Sequence, residues 1–490
     1  EITKPKTILR SVFLKPGEPY SRKDHNTTLS RLLGLGIYKF ISIRFINSKD
    51  TATVNQRRKM DCLIFLTPTK RKTIRGEIDL ITKSNSYSGP ALKASYRDRN
   101  LFKGSELFIL NGKASFETQF GKGAQGFNSY ELGGDAELQL PMFVTPFKIK
   151  NPSERFVPKT KFNLGYNLLN RVEYFRINQF NFTYGYRWKE TYIKEHELNP
   201  VAFTYVHLID STEKFAAVLK RNKPLQRSFQ EQFILGSNYS FTWNSTVNEE
   251  TKSQFFYNGM VDVAGNVLYL ASNILAGKKE ELEAYQAFGS PYSQYSKLTN
   301  DFRYYYRMNE DKQQLAGRLI VGAGVPYGNS EAIPYIKQFF IGGPQSIRAF
   351  RARSLGPGSY VLPDSIKATG FLDQAGDIKI EGNLEYRFGI VSVLKGALFV
   401  DAGNIWMMRN YIDLPGGTFD TKRFLNEIAV GTGFGLRVDI SFFVIRFDLA
   451  WPLRIPYLPE KRWVADKISF GNASWRKENL ILNVAIGYPF

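Results

Sequence analysis

The chain has 490 residues, 43% of them apolar, with 66 Lys and Arg against 45 Asp and Glu for a formal charge of +21. No run approaches the ~18 consecutive apolar residues of a spanning helix, which excludes a helical membrane protein, and the lone Cys62 excludes an intramolecular disulfide framework or a cysteine zinc site. Aromatic residues reach 15% beside 40 Gly while mean hydropathy is only −0.29. That combination fits the alternating strands of a transmembrane β-barrel, which hide their apolar face from averaged scales.

The basic residues are scattered, so the charge points to acidic headgroups or an acidic client and not to nucleic acid. His25, His196 and His207 share no metal-ligand spacing, and no Ser/His/Asp order stands out. The expectation is therefore no enzyme, no cofactor and no metal. The opening EITKPKTILR carries neither initiator Met nor signal peptide, which reads as a processed or trimmed start.

Residues 1–70 mix helix and strand. Ser30 to Phe40 follows a polar, cap-rich stretch (Ser21 to Thr28) and predicts a short helix. Ile41–Ile46 and Met60–Leu66 alternate as strands joined by a polar loop, Asn47 to Lys59. Together they predict a small α+β module.

From residue 71 the pattern is strand after strand. Thr73 to Ile81 is the first, with Ile74, Gly76, Ile78 and Leu80 opposite Arg75, Glu77 and Asp79. Asp210 to Leu219 and Val267 to Leu275 interrupt the strands with helical spacing; both predict helices in connections outside the bilayer. A loop of about 50 residues, 326–376, is too long for a mere connection and carries Arg348, Arg351 and Arg353 between glycine turns.

The strands that follow are the cleanest. Ile378, Ile380, Leu384, Tyr386 and Phe388 oppose Asp377, Lys379, Glu381, Asn383, Glu385 and Arg387. Gly431-x-Gly433-x-Gly435 has the glycines of a nucleotide motif but sits in a strand, with Phe434 and Leu436 opposite Arg437, so it reads as barrel wall. Phe447 and Leu449 then oppose Arg446 and Asp448. Charges of both signs beside glycines on one face suit a wet lumen, and aliphatics and aromatics on the other suit lipid. Leu480 to Phe490 is apolar or aromatic at every second position, through Val484, Ile486, Tyr488 and Phe490, and predicts one spanning strand. About 420 residues at roughly 26 per strand and connection predict about 16 strands, an all-β transmembrane barrel behind one α+β module.

Ser346-Ile347-Arg348-Ala349-Phe350 resembles the V/I-R-G-F/Y motif in the sixth extracellular loop of the BamA/TamA superfamily of outer-membrane barrels. Asn383 to Phe388, Leu398 to Trp406, Arg446 to Pro452 and the terminal Tyr-Pro-Phe490 are similar to the family's later strands. Lys15 to Tyr20 with the following helix and strands looks like its last POTRA module, partial at its N-terminus. The wording is nearest to TamA-like members, including the TamL proteins of Bacteroidota. The resemblance implies an outer-membrane location, a periplasmic POTRA module and a loop folded into the lumen. There Arg348 would lock onto Glu385 and Asp401; the alternative is that Glu385 pairs with Arg387 or another lumen base and that Arg348 is a solvated loop residue. Where the family has glycine, this chain has Ala349, which would be strained if that position needed a positive φ.

The resemblance further implies a translocation and assembly factor that inserts outer-membrane proteins or transfers lipid. The route would be a seam where the first strand (Thr73, Ile74, Ile78, Leu80) meets the last (Val484, Ile486, Gly487, Tyr488, Phe490), weakened by Gly487 and Pro489. Its implied partners are outer-membrane lipids, unfolded outer-membrane proteins, and a TamB-like bridge protein or accessory lipoproteins. The rival readings are a BamA-type central insertase and, of another class, a passive pore or two-partner secretion transporter.

Overall fold

A computed structural model describes the chain except residues 1–2, 49–58, 83–86, 120–127, 148, 150–152, 173–174, 222–225, 227–230, 249–250, 277–284, 288, 309–312, 364–373 and 441–442. The N-terminal α+β module holds helices Pro5–Leu9 and Arg22–Gly34 and an antiparallel pair, β1 (Tyr38–Asn47) and β2 (Met60–Pro68). Its main helix lies eight residues earlier than the sequence suggests. The Ser21 hydroxyl accepts from the Asp24 N–H at 3.2 Å and so caps the helix at Arg22. What reads as a polar prelude is the helix itself. Gly36, at φ +72°, turns the chain into β1, so Tyr38 to Phe40 are strand. The helix buries Leu32 against Ile41, Ile64 and Leu66 of the pair and against Val157, just ahead of Lys159 in the larger sheet. The loop between β1 and β2 lies mostly outside the described residues.

The rest is one sheet of 16 antiparallel strands. In chain order these are β3 (Lys72–Thr82), β4 (Tyr87–Asp98), β5 (Leu107–Gln119), β6 (Asn128–Leu140), β7 (Lys159–Arg171), β8 (Phe175–Lys189), β9 (Lys194–Ser211), β10 (Gln232–Asn244) and β11 (Ser253–Ala264). A two-residue hairpin, β12 (Gln286–Ala287) and β13 (Ser290–Pro291), precedes β14 (Tyr295–Met308), β15 (Gln313–Pro326), β16 (Ile378–Val391), β17 (Leu394–Trp406), β18 (Ala429–Ile440), β19 (Phe443–Arg454) and β20 (Ile481–Ile486). Each strand pairs with its sequence neighbour in the sheet, the topology of an up-and-down barrel. Helices Glu213–Arg221 and Asn266–Ala276 fill the connections where helical spacing appears. No helix among the described residues is long and apolar enough to cross a membrane; the strands do so.

The two faces sort as alternation requires. Glu381, Asn383, Glu385 and Arg387 of β16 are buried inward, as are Phe399 and Asp401 of β17 and Arg446 and Asp448 of β19. Leu384, Leu398, Val400, Phe434 and Phe447 stand exposed on the outer face, where lipid replaces water.

Two expectations about the ends of the sheet change. The last strand is not eleven residues long: β20 covers six and stops at Ile486. Gly487 then takes φ +82°, a conformation that costs glycine little, and turns residues 487–490 off the wall. Tyr488 and Phe490 therefore stack on the inward-facing Arg387 and do not face lipid. The first and last strands also do not zip together. β3 and β20 are the two termini of the strand order, and no ladder joins them among the described residues.

Candidate functional site: an arginine lock at the sheet edge

The loop between β15 and β16 runs back into the lumen. Gly343 N–H donates to the Phe350 carbonyl at 2.8 Å, and Phe350 N–H donates to Ile347 O at 3.1 Å. This tight turn presents Arg348 at its tip. Ile347 and Phe350 bury in an apolar cluster with Ile341, Leu355, Phe399 and Ile405. That apolar floor holds the tip without charge and orients the arginine between β16 and β17.

Arg348 is 1% exposed. Its Nε and Nη2 donate to Asp401 at 2.8 and 2.9 Å, a forked geometry, and its backbone N–H donates to the same carboxylate at 3.1 Å. Nη1 donates to Glu385 at 2.5 Å. The guanidinium also lies 3.4 Å from the centre of the Phe399 ring. Burial alone would lower the arginine's pKa, but Asp401, Glu385 and Asp448 outweigh it and raise the pKa above its ordinary value. The alternative pairing of Glu385 is present too: Arg387 Nε donates to its other oxygen at 2.8 Å.

Sequence reasoning missed several members of this cluster. Arg437 Nη1 donates to Asp448 at 2.6 Å, and its Nη2 to Glu385 at 3.2 Å. Arg446 Nη2 holds the Pro344 carbonyl at 2.9 Å. Asn383 Nδ2 reaches both Ser346 O at 2.9 Å and Asp401 at 3.0 Å. Asn483 of β20 donates to the Arg348 carbonyl at 3.0 Å. The signal for the charged members was their shared parity on the polar faces of β18 and β19. Asn383 shares that parity on β16, but parity does not announce which loop a polar strand residue meets, and no signal marked Asn483.

Ala349 sits without strain. It is not among the positive-φ residues of the described chain, and its Cβ faces Gly431, where an added Cβ would come within 2.3 Å. The methyl group occupies room that the wall glycine leaves. The other two glycines of that run make similar room for Phe399 and for the Arg437–Asp448 pair.

The predicted seam residues divide. Ile74 and Ile78 of β3 are each 81% exposed, and Val484 and Ile486 of β20 also point outward, Ile486 at 75%. Thr73 lies on the inner parity, its hydroxyl bonded by Arg99. Leu80 lies in β3, its side chain outside the described residues. Gly487, Tyr488 and Phe490 belong to the inward tail and not to the strand. Among the described residues no ladder pairs the outer edge of either terminal strand, and β20 reaches the lock through Asn483.

A family model for the Omp85 superfamily domain matches residues 128–463. The outer membrane protein assembly factor BamA of Neisseria meningitidis serogroup B is 23% identical over 184 residues, which are 34% of this chain and 22% of that protein. The chain thus spans under a quarter of the length of that relative. The crystal structure of BamA from Haemophilus ducreyi lacking POTRA domains 1–3 superposes with a TM-score of 0.62 at 15% identity, covering 99% of this chain and 82% of that one.

Proposed function

The chain belongs to the Omp85 superfamily, outer-membrane β-barrels that serve assembly and translocation, and from that premise we propose that it is a translocation and assembly factor that admits client strands at the β3–β20 seam. The observation that carries this is the unpaired pair of edges at the ends of the 16-stranded sheet. An edge strand offers a row of free N–H and C=O groups, a template for β-augmentation by an unfolded outer-membrane protein. The lock beside it keeps the long loop seated in the lumen while the seam is open. A disulfide stapling β3 to β20 in a Cys62→Ser background tests the reading, with assembly expected to stop. Full activity of the stapled protein would refute it.

On this reading residues 1–70 are the last POTRA module, and 71–490 the barrel with loop 326–376 folded inward. The loop and the terminal Gly487-Tyr488-Pro489-Phe490 favour a TamA-like role, in which a TamB-like bridge protein is the periplasmic partner and lipid a second cargo. Copurification from native membranes separates this from a BamA-type insertase: a bridge protein supports the first, a set of lipoproteins the second.

A further inference from the structure

Among the described residues, Arg387 bonds to both the lock and the tail. Its Nε donates to Glu385 Oε1 at 2.8 Å, while Arg348 and Arg437 take the other oxygen, Oε2. Its Nη1 donates to Gln314 of β15 at 2.9 Å, and its Nη2 to the Phe490 backbone oxygen at 3.2 Å. Its guanidinium lies 4.4 Å from the Tyr488 ring centre and 5.5 Å from that of Phe490. All five of its N–H groups are in a fixed plane, so Glu385 and Gln314 aim the face on which the tail rests.

The tail's alternative path is also defined. Ile486 pairs with Ile445, and Gly487 N–H still donates to Val444 O at 2.8 Å. One residue further, Tyr488 would continue the ladder opposite Phe443, were the chain not turned at Gly487. The straight path would lengthen β20 from six residues to about ten, near the eleven of β3. The added stretch would lie toward the Lys72 end of β3, whose one edge pairs with β4 and whose other edge has no ladder among the described residues.

We infer that Arg387 is a positioning residue that holds residues 487–490 inside the lumen and thereby keeps the seam unzipped, with Glu385 coupling this latch to the loop lock. The inference rests on the seam reading above. A seated Arg348 holds the Glu385 carboxylate aligned, so Arg387 stays in place and the tail stays in. Losing the shared carboxylate frees both elements together. The same carboxylate therefore reports the state of the loop to the edge that a client must pair with.

The test is disulfide trapping across the seam in the full chain, in native outer membranes and a Cys62→Ser background. Cysteines at Ile74, Gly76 or Ile78 are each paired with one at Val484, to sample the possible registers. Arg387→Ala is expected to raise the trapped fraction at least three-fold, and Arg387→Lys, which keeps the charge but not the fork, by less. Heat-modifiable mobility on gels selects the folded variants. Adding Glu385→Gln to Arg387→Ala is expected to raise trapping no further, because both act through one contact. Unchanged trapping in folded Arg387→Ala, or an additive double variant, overturns the latch. The loop lock is read separately by channel conductance of Arg348→Ala. A pore that opens there while Arg387→Ala leaves the seam unchanged would sink the latch and spare the proposed function.

Discussion

Replacing Arg348 by Ala removes the loop's principal polar anchor while leaving its partners in place. The three carboxylates left behind can be ranked by the donors each one keeps. Glu385 keeps Arg387 and Arg437, and Asp448 keeps Arg437 at 2.6 Å. Asp401 fares worst. It loses the Nε and Nη2 fork and retains only Asn383 Nδ2 and the backbone N–H of residue 348. A buried carboxylate stripped of its cation costs about 3–5 kcal/mol, and at roughly 1.4 kcal/mol per decade the docked loop falls by about two to three and a half orders of magnitude relative to the undocked one. Single-channel conductance in planar bilayers reads this directly, since an undocked loop unblocks the lumen. Protease cleavage of loop 326–376 on intact cells is the second readout. The double variant Arg348→Met, Asp401→Leu removes both charges together and is expected to recover much of the docking, because no stranded ion remains. If Arg348→Ala conducts and resists protease like the parent, the pair does not hold the loop and the reasoning fails.

Two further outcomes follow from packing. Gly431→Val places carbon within 2.3 Å of the Ala349 methyl, and overpacking of this kind costs about 1–3 kcal/mol; it is expected to loosen the loop in the same protease assay, less than Arg348→Ala does, and an unaffected loop would show that the tip does not press on the wall. Ser21→Ala removes the cap of helix Arg22–Gly34 and should cost that helix about 1 kcal/mol, seen as faster hydrogen exchange of its first turn in the full-length protein with no change in exchange across β14–β18.

Some of the site was legible in residue parity. A charged residue between apolar neighbours in a strand faces the lumen, so Glu385 and Asp401 could be placed on the inner wall from spacing alone. Their convergence on Arg348 came from a motif resemblance, because the distance between a loop tip and two strands is not a local property of the chain. The cap-rich stretch from Ser21 is visible in the sequence, but its composition places it equally well before the helix or inside it. Cap residues and polar linkers share a composition, and only the bond from Asp24 N–H separates them.

The alternation of side chains with period two determined the inner and outer faces, chain length per strand set the strand number, and a cap-rich stretch ahead of two alternating segments marked the α+β module. The behaviour of the last eleven residues was decided elsewhere. By pattern, Leu480 to Phe490 is one strand; in the fold, the ladder ends at Ile486 because Gly487 permits a turn and Arg387, 103 positions before Phe490, supplies a hydrogen bond and a ring-stacking surface inside the lumen. An alternating pattern specifies that two faces differ. Whether a strand's final residues stay on the wall depends on what competes for them, and the competitor here, Arg387 of β16, comes near only once β16 to β20 stand side by side in the sheet.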